Sequence, residues 1–135
     1  EMLNILNKKS GMEGISGVSS DFRDLEEGAE KGNERCALAR EKFAYEVKKL
    51  IGAYAAVMGG VDAIIFTAGV GENDALERMQ IASGLEYMGV KMDEDANNVR
   101  GEERVISATD SKVKVLLIPT NEELMIAMDT ASLVG

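Results

Sequence analysis

The chain contains no histidine, and only one cysteine and one proline, among its 135 residues. Without histidine, an imidazole general base, a Ser-His-Asp triad and a histidine-held metal are excluded from this chain. The single thiol, Cys36, cannot close an internal disulfide. It falls in a helical pattern, so a buried thiol in a reducing cytoplasm is the expectation. Aromatic residues make up 4 %, which leaves Leu, Ile, Val, Met and Ala to build the core. No long uniform apolar run is present either. The least charged stretch, Ile51 to Gly71, carries Asp62 as its one charge, but Gly59-Gly60 splits it into a helical and a strand-like half, which argues against a membrane span. No basic region followed by an apolar one opens the chain, so no signal peptide is expected.

Basic residues are also in short supply: 15 against 24 acidic ones, for a net charge of −9. That balance argues against nucleic-acid and anionic-membrane partners. A phosphate-bearing ligand would meet an unfavourable overall field. It would depend on local N–H groups, a nearby Arg or Lys, and a divalent cation. What remains, 45 % apolar and 29 % charged, fits one soluble globular domain with a core of ordinary size.

The stretch from Asp62 to Asp74 holds the densest chemical signal. Ala63 to Phe66 is continuously apolar and predicts a strand buried on both faces. Gly69 and Gly71 follow in a turn, and Asp74 with Glu77 marks the N-terminus of a helix that runs to about Met88 and stops at Gly89. A glycine turn feeding a helix N-terminus is a natural seat for phosphate. It is not a dinucleotide GxGxxG loop, because Asp74 stands where the third glycine would be, and no Gly-Lys-Ser/Thr follows to make a P-loop. On the residues alone, a plain strand-to-helix turn is as good a reading as a nucleotide site.

The remaining elements are read from periodicity and punctuation. Met2 to Lys9 predicts a helix without a cap before it, as if the chain started inside an element. Gly- and Ser-rich sequence from Ser10 to Ser20 predicts a loop. Ser20 or Asp21 caps a short helix to about Lys31. Glu34 to Met58 predicts a long amphipathic helix, with Cys36, Phe43, Val47, Leu50, Ile51, Tyr54 and Met58 on its apolar face. Asp93-Glu94-Asp95 reads as an acidic turn or short helix rather than a calcium loop, since the EF-hand spacing fails. Arg104 to Ser107 and Lys112 to Ile118 predict strands, the second with Val113, Val115 and Leu117 alternating, and Pro119 ends it. Thr120 and Glu123 form a capping box that opens a helix to about Ala131. The sum is an α/β arrangement with about three strands, an edge left unpaired and a face left open, which suggests that part of the sheet lies outside this sequence.

Three blocks of wording, SGVSSDFRDLEEGA, FTAGVGEN and DSKVKVLLIPTNEELMIAMDT, occur in this order over nearly the whole chain. Together they resemble the C-terminal part of an acetate kinase, of the acetate and sugar kinase, heat-shock and actin superfamily. The resemblance implies a partial ribonuclease H-like (actin-like ATPase) domain with a few-stranded sheet flanked by helices. It also implies a nucleotide-binding role over residues 1–135, with the earlier part of the protein absent. The family's reaction passes the γ-phosphoryl of ATP to acetate, giving acetyl phosphate and ADP, with Mg²⁺. The family's acyl pocket and its catalytic arginine, histidine and aspartate lie earlier in the full protein, so no catalytic residue is expected in this chain.

Three groups carry over from the resemblance. Asp21, Phe22 and Arg23 lie beside the nucleotide; on the residues alone they are a helix cap and a solvent charge. Gly69, Val70, Gly71, Glu72 and Asn73 line the adenosine and its phosphates, with Ala68 and Val70 standing where the family often has Gly and Ile. Glu72 repels phosphate, so it suits the sugar or base instead, or acts through its backbone. Glu122 resembles the family's magnesium-associated glutamate, and is preferred to Glu123 because the capping box engages Glu123; in the first turn of a helix it also stabilises with no metal present. ATP and ADP, acetate and acetyl phosphate (through the missing part) and a second copy in a homodimer are the implied partners, with no nucleic acid and no membrane, in the cytoplasm. A propionate or other short-chain carboxylate kinase, or a dimerisation module without ligand binding, are the alternatives.

Overall fold

The computed structural model describes residues 1–135. The chain opens with two short helices, α1 (Met2–Lys8) and α2 (Gly11–Ser16), then α3 (Phe22–Glu30) and the long α4 (Glu34–Met58). Strand β1 (Ala63–Phe66) leads into α5 (Ala68–Asn73) and α6 (Ala75–Ala82). After a 3₁₀ turn at Glu86–Met88 come α7 (Glu94–Asn97), β2 (Arg104–Val105), β3 (Lys114–Leu117) and α8 (Glu122–Val134). The strands make one three-stranded sheet in the order β1-β3-β2. β1 runs parallel to β3 and β2 antiparallel to it, with Phe66 and Arg104 both opposite Leu117. The expected few-stranded α/β sheet flanked by helices is what forms.

The core follows from the alternation in β3. Val113, Val115 and Leu117 point inward and meet Phe66, Ile81, Leu85, Val90 and Ile106 in one cluster, with Ala44 of α4 closing it. A smaller cluster of Leu25, Cys36 and Ala39 pins α3 to α4. Cys36 is fully buried there, against Gly28, where an added Cβ would come within 2.6 Å of its sulfur. No helix is long and apolar enough to cross a membrane.

Several expectations need correction. β1 is covered on one face only, for Ile65 is 54 % exposed. The apolar face of α4 is also misplaced in its second half. Its buried residues are Cys36, Ala39, Arg40, Ala44 and Ala55, with Phe43, Val47 and Ile51 packed beside them, while Leu50, Tyr54 and Met58 are exposed. The inward stripe runs through Ala44, Val47, Ile51 and Ala55, and Leu50 and Tyr54, each one position before an inward residue and so about 100° around the axis, turn outward. The Gly/Ser-rich stretch is not a loop throughout. Arg35 reaches back from α4 to the carbonyls of Gly14 and Ile15, at 3.0 and 2.8 Å, and supports the helix α2. The predicted capping box is absent too. Asn121 caps α8 by accepting the Leu124 N–H at 3.1 Å, and Thr120 faces the end of β1 instead. Glu123 is therefore not engaged by a box, and that ground for preferring Glu122 falls.

Candidate functional site

The turn after β1 is itself helical. Ala68 enters it with φ of 58°, the one non-glycine residue in the left-handed region, a conformation that costs an L-residue about 1–2 kcal/mol. α5 is then held from two sides. The Asn73 side-chain amide donates to the Gly69 carbonyl at 2.9 Å, and the Arg78 guanidinium donates to the Gly71 carbonyl at 2.9 Å. The seat expected for phosphate at the following helix is already filled: the Asp74 carboxylate caps α6 by accepting the Glu77 N–H at 2.9 Å.

Asp21 caps α3 in the same way, with the Arg23 N–H donating to it at 2.9 Å. The Arg23 side chain also folds back, donating to the same carboxylate at 3.0 and 2.6 Å. These side-chain bonds, before the backbone bond and the nearby charge, hold the Asp21 carboxyl down at about 2. Phe22 packs edge-on against Phe43 of α4, ring centres 4.7 Å apart. Both residues flanking Phe22 thus face solvent while its ring anchors the segment.

These two segments, distant in sequence, border one cavity of about 630 Å³. Ser20, Asp21, Phe22, Arg23 and Glu26 form one part of its lining; Gly69, Val70, Asn73 and Asp74 form another, and Arg100 completes it. Gly71 and Glu72 do not line it. Gly71 borders a mainly apolar hollow of about 510 Å³ with Phe43, Val47 and Ile81. Glu72 borders a cleft of about 470 Å³ with Ala68, Gly69, Thr120 and Glu122. Gly69 lines all three, and a Cβ built on it would meet nothing within 4 Å.

In the cleft, Glu72 is committed. Its carboxylate accepts the Thr120 N–H at 2.7 Å, which with the neighbouring Thr120 hydroxyl and Ala68 N–H holds its pKa below the ordinary carboxylate range. Glu122 is exposed and makes no ion pair. No group of three or more acidic, cysteine or histidine side chains is close enough to cage a metal. One free carboxylate does suit a magnesium ion that retains most of its waters.

Behind the cavity lies a charge network that the sequence did not reveal. Arg40, from the buried side of α4, donates to Asp74 at 2.7 Å and to Glu77 at 3.3 Å, with Glu26 at 3.9 Å. Glu77 is fully buried and one of its carboxylate oxygens has no hydrogen-bond partner. Desolvation outweighs the pull of Arg40 and pushes the Glu77 carboxyl up to about 7. Arg78 is buried as deeply, satisfied by carbonyls and by Asn97 rather than by an acid. Nothing in the local sequence sets Arg40 or Arg78 apart from the other charged residues of their helices. Arg100 gave no signal, because its position depends on the fold of the loop before β2.

The acetokinase family model matches residues 1–128. The acetate kinase of Dictyoglomus turgidum is 64 % identical over 135 residues, covering all of this chain and 33 % of the relative. The crystal structure of Porphyromonas gingivalis acetate kinase superposes with a TM-score of 0.92 at 48 % identity, covering 99 % of this chain and 34 % of that one. A propionate kinase from Francisella tularensis superposes with a TM-score of 0.83 at 39 % identity, covering 93 % and 32 %. The chain therefore spans about a third of the length of the curated relatives it matches.

Proposed function

The chain belongs to the acetokinase family, and on that premise we propose that residues 1–135 are one nucleotide-holding domain of an acetate kinase. In that enzyme the γ-phosphoryl of ATP passes to acetate, giving acetyl phosphate and ADP. The observation that carries the reading is the meeting of SSDFRD and FTAGVGEN around a single cavity of about 630 Å³. That volume lies in the range of small-molecule sites.

In this reading the nucleoside occupies the cavity. Phe22 and Val70 supply apolar contact. Asn73 has its amide spent on Gly69 and keeps its carbonyl oxygen free to accept from a base amine. Asp21 and Arg23, paired with each other, face the ribose. Gly69 borders both the cavity and the cleft of Glu72 and Glu122, so a phosphate chain passing over it needs no side chain moved. Gly71 supports the turn through its carbonyl on Arg78, and Glu72 through its bond to Thr120. Magnesium bound through Glu122 and water would neutralise phosphate charge, which phosphoryl transfer requires.

The superposition on a propionate kinase favours a second reading, a kinase of another short-chain carboxylate. Exposed apolar side chains on α4 and α8, among them Leu50, Tyr54, Met125 and Ile126, support contact with further protein surface, including a second copy. Light scattering reads that association directly. A cytoplasmic location fits a buried, reduced Cys36. The nucleotide reading is tested by titrating ADP into the ¹⁵N-labelled chain and following amide shifts by NMR. Shifts concentrated at residues 20–26 and 69–74 are expected; a spectrum unmoved by millimolar ADP overturns it.

A further inference from the structure

We propose that Arg100 is a nucleoside-contacting residue whose guanidinium plane lies against the purine ring; this rests on the nucleotide reading of the cavity above. The cavity and its backing contain several cations, and nearly all are spent. Arg23 turns its Nε and Nη2 onto the Asp21 carboxylate, and Arg40 is held by Asp74 and Glu77. Arg78 is buried among carbonyls. Arg100 alone of the cavity's arginines makes neither an ion pair nor a side-chain hydrogen bond within the chain.

Its backbone, in contrast, is fastened on both sides. The Val99 carbonyl accepts from Arg78 at 2.8 Å, and the Gly101 N–H donates to the Glu72 carbonyl at 3.1 Å. Gly101, with φ of 59°, turns the chain away immediately afterwards. A free guanidinium therefore stands on a fixed base tied to the same turn that carries Gly69, Val70 and Asn73.

The surrounding charge decides what it meets. Asp21, Glu26 and Asp74 also line the cavity, so its walls carry more acid than base, on a chain of net charge −9. A phosphate placed there would face those carboxylates. An uncharged base does not, and a weakly hydrated planar guanidinium stacks well on an aromatic face.

The test is an NMR titration of the 135-residue chain with ADP, with adenosine and with pyrophosphate, in wild type, Arg100→Ala and Arg100→Lys. Thermal unfolding of each variant checks the fold, and Arg100→Gln serves in place of Arg100→Ala if the latter is unstable. Arg100→Ala should weaken ADP and adenosine by the same factor, about 3- to 30-fold for a cation–π contact, with Arg100→Lys between. Weakened ADP with unchanged adenosine would assign Arg100 to phosphate and overturn the proposal. Unchanged affinity for both also overturns it, leaving the nucleotide site standing. If wild type binds neither ADP nor adenosine, the site reading falls and takes this inference with it.

Discussion

The carboxylate of Glu72 accepts the backbone N–H of Thr120 at 2.7 Å, and the hydroxyls of Thr67 and Thr120 lie 2.9 Å apart beside it. The turn after β1 is thereby tied to the start of α8 by a charge-assisted bond, although no sheet pairing reaches that far. Glu72→Ala should cost about 1 kcal/mol in urea unfolding, with faster hydrogen exchange at the Thr120 amide. Because Glu72 is held below its ordinary pKa, its contribution is present above the usual carboxylate range. It is lost as pH falls through the lowered value.

Arg40 is the cation on which two helices converge. Removing it as Arg40→Met leaves Asp74 and Glu77 facing each other with no positive partner. A buried pair broken on one side loses about 3–5 kcal/mol, which denaturant unfolding would register as a large drop in midpoint. Arg40→Lys should recover part of it, since an ammonium cannot span both acids as the guanidinium does.

Glu77 makes stability depend on pH in an unusual direction. Its folded-state pKa, about 7, lies above the ordinary value of 4.5, so the folded chain binds that proton more tightly than the unfolded one. Its stabilising effect is complete below about pH 4.5 and is lost as pH rises through 7. The shift corresponds to about 3 kcal/mol. With no histidine in the chain, little else titrates in this window. Unfolding free energies measured from pH 5 to 8 should fall in wild type and stay level in Glu77→Gln.

Ala68 and Gly69 separate stability from binding. Ala68→Gly removes a Cβ from a left-handed residue and should stabilise the chain by up to about 1 kcal/mol. Gly69→Val adds a side chain into open space. It should unfold near the wild-type temperature yet lose ADP-induced NMR shifts. Retained shifts would remove Gly69 from the nucleotide path.

The isolated chain should show no kinase turnover. It carries no histidine, and every residue in the function proposed above is assigned to nucleotide and magnesium binding, none to the acyl acceptor. Mixing it with ATP, acetate and Mg²⁺ and assaying acetyl phosphate should return background; turnover above background would place acyl chemistry within these residues.

What could be read from the sequence was local. The α4 limits at Glu34 and Met58, the alternation of Val113, Val115 and Leu117, and the caps at Asp21 and Asp74 all follow from near neighbours. What could not be read depends on distant partners. The α2 helix leans on Arg35, the start of α8 on Asn121 while Thr120 is diverted to Thr67, and the outward turn of Leu50 and Tyr54 on which stripe of α4 the core takes up. The site divides in the same way. The wording SSDFRD and FTAGVGEN identified two of its walls, but Glu26, Asp74 and Arg100 enter only through the fold. Gly71 and Glu72, adjacent to the cavity in sequence, turn away from it because Arg78 and Thr120 hold them elsewhere.

Arg78 joins two stretches of backbone by donating to the Gly71 carbonyl on one and the Asn97 and Val99 carbonyls on the other, while also gripping the Asn97 side chain. Loops usually open independently of the core they decorate. A loop whose carbonyls are held by a fully buried guanidinium has no such freedom, because releasing it would strand that charge in an apolar interior. The segment from Asn97 to Gly101 and the turn after β1 therefore form one cooperative unit. Slow-exchanging amides there should report the unfolding of the whole domain, and the cavity they border is as durable as the core itself.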